Sequence, residues 1–210
     1  MPQRDITLSV VSHAQNALVN RLLEDVGRVC ADRVAIVLTE NVPDREQYAT
    51  AHLPGPVEVV VNAERKGFGA NHNAAFTRCR TPYFCVCNPD VLLPADPFPA
   101  LVQALADPRA AVAGPLVRSP EGRIEDSARR FPTVWSLFKK LFVDRREPDY
   151  PTDRAPQEVN WVAGMFMLFR ADAFRAVGGF DEAYFLYYED VDLCRRLRAA
   201  GKSGVTKLKR

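Results

Sequence analysis

Four short apolar runs, rich in β-branched and aromatic residues, stand within the first 90 residues: Ile6–Val11 (ITLSVV), Val34–Leu38 (VAIVL), Val57–Val61 (VEVVV) and Tyr83–Cys87 (YFCVC). Each is too short for a helix and nearly lacks polar alternation, the pattern of a strand covered on both faces. Between the first two, Leu18, Leu22, Val26 and Val29 share one face of a helical stretch at Ala17–Val29. A shorter helical stretch spans Gly69–Cys79. Buried strands separated by helices admit few solutions, of which the simplest is an α/β layer with a largely parallel sheet. At 210 residues and 47% hydrophobic content, a single domain with a sizeable core is expected.

In such sheets, ligands bind beyond the carboxyl ends of the strands. The four runs are followed by SHAQN, TENVPD, NAERKGFGANHNAAF and NPDV, so polar and acidic groups gather at one sheet edge. Gly67–Gly69 (GFG) precedes a helix, where small residues let backbone N–H groups approach a phosphate, although glycine is also common at a plain strand-to-helix turn. The spacing is neither that of a P-loop nor that of a dinucleotide fingerprint. Asn88-Pro89-Asp90 is a good turn sequence. At the end of a buried strand, Asp90 also offers hard oxygen ligands to Mg²⁺ or Mn²⁺ beside a diphosphate.

Near the end, in FLYYEDVDLCRRLRAAG (Phe185–Gly201), the acids Glu189, Asp190 and Asp192 follow a bulky aromatic cluster. Leu193, Cys194, Leu197 and Ala200 recur at helical spacing, with acids in the first turn, Arg195, Arg196 and Arg198 later, and Gly201 placed to end the helix. That charge order suits the helix dipole and needs no function of its own.

Bulk properties exclude several classes. A net charge of +2 does not suggest a nucleic-acid binder. Five cysteines, an odd number, in a chain without a signal peptide imply free thiols and a cytoplasmic setting. Cys85 and Cys87 lack a second ligand pair and read as small buried hydrophobes. The longest apolar run, Trp161–Phe169, is too short to span a bilayer.

These blocks together resemble the family 2 glycosyltransferases of the GT-A fold, in particular the bacterial rhamnosyltransferase branch. VNAERKGFGANHNAAF, CNPDVLLP, GPLVRSPEGRIEDSARRFP and VNWVAGMFMLFRADAFRAVGGFDEAYFLYYEDVDLCRRLRAAG occur in the family's order and cover most of residues 6–201. The resemblance implies a single GT-A (Rossmann-like) domain, a mixed, mostly parallel sheet flanked by helices. Residues 1–94 would form the nucleotide-sugar half, 110–201 the acceptor and catalytic half, and 202–210 a basic tail. It also implies nucleotide-sugar contacts at Ser12, Glu40, Gly67, Asn73, Asn88 and Gly164. Asp90 would ligate the metal, with Asn88 in place of the usual first aspartate, and Glu40 would stand where an aspartate usually faces the nucleotide base. Asp190, supported by Glu189, would be the catalytic base, with Asp192 as a helix-dipole partner.

The implied reaction is an inverting direct displacement. Asp190 would deprotonate an acceptor hydroxyl, with the Phe185–Tyr188 cluster giving it a partly dry setting and a surface for sugar rings. The implied donor is dTDP-rhamnose, with UDP-sugars next, and the implied acceptor is a glycan or lipid-linked sugar of a bacterial surface polysaccharide. Members of this branch continue past the LRAAG helix with a strand and a histidine. KSGVTKLKR ends at Arg210 with no histidine after His72, which implies that the usual C-terminal part is lacking. That leaves a non-catalytic nucleotide- or carbohydrate-binding relative as the alternative. A sugar nucleotidyltransferase fits less well, because SVVSHAQN has no glycine- and basic-rich triphosphate loop. Finally, Phe131, Trp135, Phe138 and Phe142 share a helical face within Arg129–Glu147, beside Lys139, Lys140, Arg145 and Arg146. This predicts a helix packed over the sheet, or else a peripheral contact at the inner membrane face. Pro148–Pro156 reads as an exposed linker.

Overall fold

The computed structural model describes residues 4–125, 127–131, 150, 157–202 and 205–207. The predicted strands all form: β1 (Ile6–His13), β2 (Val34–Val42), β3 (Val57–Val61) and β4 (Tyr83–Cys87). They pair in parallel in the order β3-β2-β1-β4, with Ile6 opposite both Val34 and Tyr83. Beyond β4 the sheet becomes mixed. β9 (Phe166–Arg170) runs antiparallel to both β4 and β5 (Val112–Gly114), and β10 (Val205–Lys207) lies between β5 and β7 (Gln157–Val159). A small second sheet joins β6 (Ala128–Arg129) to β8 (Trp161–Val162). The 202–210 segment, expected as a tail, thus contributes β10 to the main sheet.

Helices α1 (Asn16–Val29) and α3 (Phe98–Ala104) pack on one face of the sheet. Helices α2 (Phe68–Phe76), α4 (Ala171–Ala176) and α5 (Glu189–Ala199) pack on the other. The period of two along each strand sorts the side chains between two cores. Ile6, Leu8, Val10, Cys85, Cys87, Phe166 and Leu168 face the α1 side, while Phe84, Val86, Met167 and Phe169 face the other. There the Phe174 ring lies 4.7, 5.2, 4.9 and 5.5 Å from the rings of Phe76, Phe84, Phe169 and Phe180. Such a cluster, in which losing one Phe typically costs about 3–5 kcal/mol, fuses the two halves into one core. All five cysteines are free and buried, as expected.

Two expectations need correction. The deepest stripe of α1 is Val19, Leu22, Leu23 and Val26, with Leu18 and Val29 only partly covered. Both stripes have helical spacing, and the one centred on the sheet takes the i, i+3, i+4, i+7 set. β3 is also not covered on both faces. It is the outermost strand, and Val59 and Val61 are 44% and 66% exposed. Of the segment expected to form a helix or membrane contact, residues 132–149 lie outside the described residues, and Phe131 is partly buried against the second core.

Candidate active site

The strand order reverses at β1, with β2 on one side and β4 on the other. In open α/β sheets this is the point where a ligand crevice lies beyond the carboxyl ends of the strands, and here the chain places SHAQN, TENVPD and NPDV. Pairing sets Ser12 beside Glu40 at its floor. The Ser12 hydroxyl is buried and donates to Asn16 Oδ1 at 2.6 Å, so it fixes the start of α1 from inside. Glu40 accepts from the Tyr48 hydroxyl at 3.1 Å. Burial, with Glu40 alongside, pushes the Tyr48 phenol up to about 12, so it remains a donor at neutral pH.

Three asparagines hold the loop that follows β3. Asn41 Nδ2 donates to Lys66 O at 2.9 Å and its Oδ1 accepts from Lys66 N at 2.8 Å. Asn62 Nδ2 bridges Asn41 Oδ1 (2.9 Å) and Asn71 Oδ1 (2.6 Å), and Asn71 Nδ2 donates to Gly67 O at 2.9 Å. Sequence spacing does not reveal this network, since Asn41 lies inside β2, Asn62 follows β3 and Asn71 stands in the first turn of α2. Gly67 itself has ordinary φ. A Cβ there would lie 2.6 Å from Phe185 O, so only glycine lets the 184–188 turn rest on the loop. Asn73 is turned away from the loop. It accepts from Phe180 N (2.9 Å) and donates to Phe180 O (2.8 Å) and Glu182 (3.0 Å), clasping the two halves together.

At the end of β4, Asn88 N donates to Met165 O at 3.0 Å. Asp90 is exposed and makes no ion pair among the described residues. No group of three or more His, Cys, Asp or Glu forms a ready metal site among those residues. That donor set fits a hard cation of the Mg²⁺ type, which takes one or two protein carboxylates and completes its shell with substrate phosphates and water.

Asp190 stands in the first turn of α5. Its Oδ2 accepts from Gly164 N at 2.9 Å and its Oδ1 from Val191 N at 2.8 Å. Burial pushes this carboxyl above its ordinary value, outweighing the two bonds that favour its charge. Glu189 is buried as well, and its Oε2 has no hydrogen-bond partner among the described residues. Burial and the neighbouring Asp190 charge push it up too. Asp192 instead pairs with Arg196 at 2.7 Å.

The aromatic cluster is not what dries Asp190. Tyr184, Phe185, Leu186, Tyr187 and Tyr188 are all at least 38% exposed. Tyr187 and Tyr188 have φ of 70° and 71°, a left-handed pair that turns the chain into α5 while leaving the rings in solvent. Gly164 holds the carboxylate by its N–H, and Phe68 lies against the same glycine. A Cβ on Gly164 would meet Phe68 Cζ at 3.1 Å and Asp190 Oδ2 at 3.8 Å.

A family profile described as Glycosyltransferase like family 2 matches residues 2–206. The chain belongs to this family. It is 40% identical to the N-acetylglucosaminyl-diphospho-decaprenol L-rhamnosyltransferase of Mycobacterium tuberculosis, with 91% of this chain and 69% of that protein covered. It is 27% identical to rhamnosyltransferase WbbL of Escherichia coli, with 93% of this chain and 78% of that protein covered. Its fold is GT-A, shared with mannosyltransferase PcManGT from Pyrobaculum calidifontis in complex with GDP-Man and Mn²⁺ (TM-score 0.62, 16% identity, 99% of this chain). GalNAc-T7 with UDP, GalNAc and Mn²⁺ shares it also (TM-score 0.72, 14% identity, 97% of this chain). The chain spans 55% and 41% of the lengths of these two structures.

Proposed function

We propose that this domain is an inverting glycosyltransferase of bacterial surface-polysaccharide synthesis, moving rhamnose from dTDP-rhamnose to a glycan or lipid-linked acceptor. The relatives named above favour rhamnose and a diphospho-prenol-linked acceptor. UDP-sugars are the next donor class. One observation carries the reading. Asp190 is a carboxylate with one lone pair on each oxygen held by backbone N–H groups, in the first turn of the helix that follows the aromatic turn, while Asp90 stands exposed after β4 with no ion pair among the described residues.

In this mechanism Asp190 accepts the proton of the acceptor hydroxyl as its oxygen attacks the anomeric carbon. The new C–O bond forms on the face opposite the diphosphate, whose C–O bond breaks with its electron pair, so the configuration inverts without a sugar–enzyme intermediate. A raised pKa brings the base closer to the working pH, which helps general-base catalysis. Asp90 and Asn88 would hold a Mg²⁺ or Mn²⁺ ion, which when bound neutralises charge building on the leaving diphosphate. The Asn41–Asn62–Asn71 network holds the 64–67 loop in one shape for the donor. Glu40 stands toward the nucleotide base and Gly164 borders the transferred sugar, whereas Ser12, expected as a contact, is fully buried and acts from beneath by holding the start of α1. Contact with a lipid-linked acceptor would be made at the membrane surface; among the described residues no helix is long and apolar enough to cross a membrane.

The test is transfer from dTDP-rhamnose to an N-acetylglucosaminyl-diphospho-prenol with Mg²⁺ or Mn²⁺, with the product's anomeric configuration read by NMR. A product of inverted configuration is expected. Retention would overturn the mechanism, and dTDP binding without transfer would favour a binding-only role.

A further inference from the structure

Phe68 opens α2 directly after Gly67, at the junction of the loop and the catalytic half. Its N–H donates to Phe185 O at 3.0 Å, tying it to the turn that leads into α5. Its ring meets His72 edge-on at 4.5 Å and Phe180 edge-on at 5.8 Å, so neighbours on two elements fix its orientation. The ring's far edge, Cζ and Cε1, lies 3.1 and 3.4 Å from the point a Gly164 Cβ would occupy, and Asp190 Oδ2 lies 3.8 Å from the same point. Gly164 N donates to that same oxygen. Ring edge and carboxylate oxygen therefore both lie within 3.8 Å of the Cβ position that Gly164 leaves empty.

We propose that Phe68 is the positioning residue for Asp190: its ring, set across Gly164, keeps water from the carboxylate and links its orientation to the 64–67 loop. The proposal rests on Asp190 being the base. The chemistry is consistent on three counts. An aromatic edge carries partial positive charge, so a carboxylate oxygen tolerates it where it would avoid the ring face. A phenyl group excludes water without offering a hydrogen bond that would compete with the acceptor hydroxyl. The cluster first expected to do this, Phe185 to Tyr188, is itself half or more exposed. The titratable groups that sense the Asp190 charge, Glu189 and Cys194, sit on its own helix. Of the elements packed against it, α2 offers the Phe68 ring above His72, which burial holds neutral with a pKa near 3, and the β8–β9 turn offers the Gly164 N–H.

Phe68→Leu and Gly164→Ala test this from opposite sides. The first removes the ring edge, and the second pushes a methyl between ring and carboxylate while leaving the ring's other contacts. Each should lower kcat by up to ~10²-fold, the scale of a misplaced catalytic group, with dTDP affinity by calorimetry unchanged. In Phe68→Leu the Asp190 pKa, followed by NMR of ¹³C-labelled aspartate, should fall toward the ordinary carboxylate range. The acid limb of the kcat–pH profile should move down with it. A lower melting temperature with an unmoved Asp190 titration would show that Phe68 only fills space, and would overturn the proposal. The titration does not depend on turnover. If Asp190→Asn retains turnover, the base assignment fails, while the titration still reports whether Phe68 shields this carboxylate.

Discussion

The two walls of the crevice are built on opposite terms. On the donor side Asn41 and Asn71 have both ends of their amides bonded, and the 64–67 loop hangs on them by backbone hydrogen bonds. On the acceptor side a buried Glu189 oxygen has no partner among the described residues, two adjacent carboxyls are pushed up by burial, and two tyrosines hold left-handed backbone. Left-handed non-glycine residues cost about 1–3 kcal/mol each. The satisfied wall is a scaffold that fixes shape. The unsatisfied wall holds groups in states that water would relax, as a reacting centre requires. If that contrast is right, variants of the acceptor wall should change rate more than stability, and variants of the donor wall should do the reverse.

The largest effect is expected at Asp190. Asp190→Asn should cut single-turnover rates by roughly 10²–10⁴-fold, the usual contribution of a general base. Its folded pKa is raised, so at neutral pH its charge works against folding, and the contribution it makes in the protonated form is lost as pH rises through that value. Removing the charge relieves the buried-charge penalty, while the amide NH2 cannot accept one of the two backbone N–H bonds, so the two effects oppose each other and the melting temperature should change little. Loss of rate and of stability together would make Asp190 a structural residue and erase the contrast.

The donor wall should break the other way. Asn71→Leu strips partners from Asn62 and from the Lys66 and Gly67 carbonyls. Leaving buried polar groups unpaired costs about 1–3 kcal/mol, measurable by urea unfolding. Nucleoside-diphosphate affinity should weaken with it, while kcat at saturating donor changes little. A Leu variant with parental stability and a collapsed kcat would reverse the assignment of the two walls.

Acid should act on both walls with opposite signs. His72 is fully buried against Ser9 Oγ (2.8 Å), and burial lowers its pKa to about 3 from an ordinary 6.5. The unfolded chain therefore takes up a proton below pH 6.5 that the folded chain refuses. Stability present above 6.5 is lost as pH falls, by about 2 kcal/mol at pH 5 at 1.36 kcal/mol per unit. Glu189 and Asp190, both raised, oppose this, because their protonation relieves buried charge as pH falls. The net loss should be smaller in the parent than in Asp190→Asn, which lacks one of the offsets. Equal pH dependence of urea unfolding in the two proteins would show that the Asp190 carboxylate is not under strain.

Legibility in the sequence followed the same division. The strands could be read, as could Asp90 after a strand and Asp190 in the first turn of a helix, because strand burial and helix spacing are local and periodic; the roles given to the two carboxylates come from the resemblance and not from that spacing. Edge placement of β3 could not, since VEVVV reads the same whether or not a neighbour strand covers it. Nor could the asparagine network, whose members stand 21 and 9 residues apart and meet only once β2, β3 and α2 are assembled. The aromatic turn misled because composition says that rings are apolar but not which way a left-handed pair will face them. Phe68 was hidden for a related reason, because its partner is the empty space over a glycine.

The smallest effect is the sharpest comparison, because it lies two residues from the largest. Asp192 shares the first turn of α5 with Asp190, yet it is bonded as the donor wall is: its carboxylate pairs with Arg196 one turn on, at 2.7 Å. Arg196 is held in turn by the carbonyls of Val177 and Gly179, at 2.7 and 2.8 Å, which fastens α5 to the turn after α4. Both side chains of the pair are partly open to solvent, so screening keeps its value at about 0.3–0.5 kcal/mol. An acid in the first helical turn adds about 0.3–1 kcal/mol through the dipole. Asp192→Asn retains an acceptor oxygen for Arg196, and should lower stability by no more than about 1 kcal/mol while leaving turnover within about twofold, the range of ordinary surface changes. Thermal unfolding and single-turnover rates measured beside Asp190→Asn decide the matter. If Asp192→Asn loses turnover as Asp190→Asn does, the chemistry belongs to the negative charge of the whole turn, and the shielded geometry of one carboxylate explains nothing.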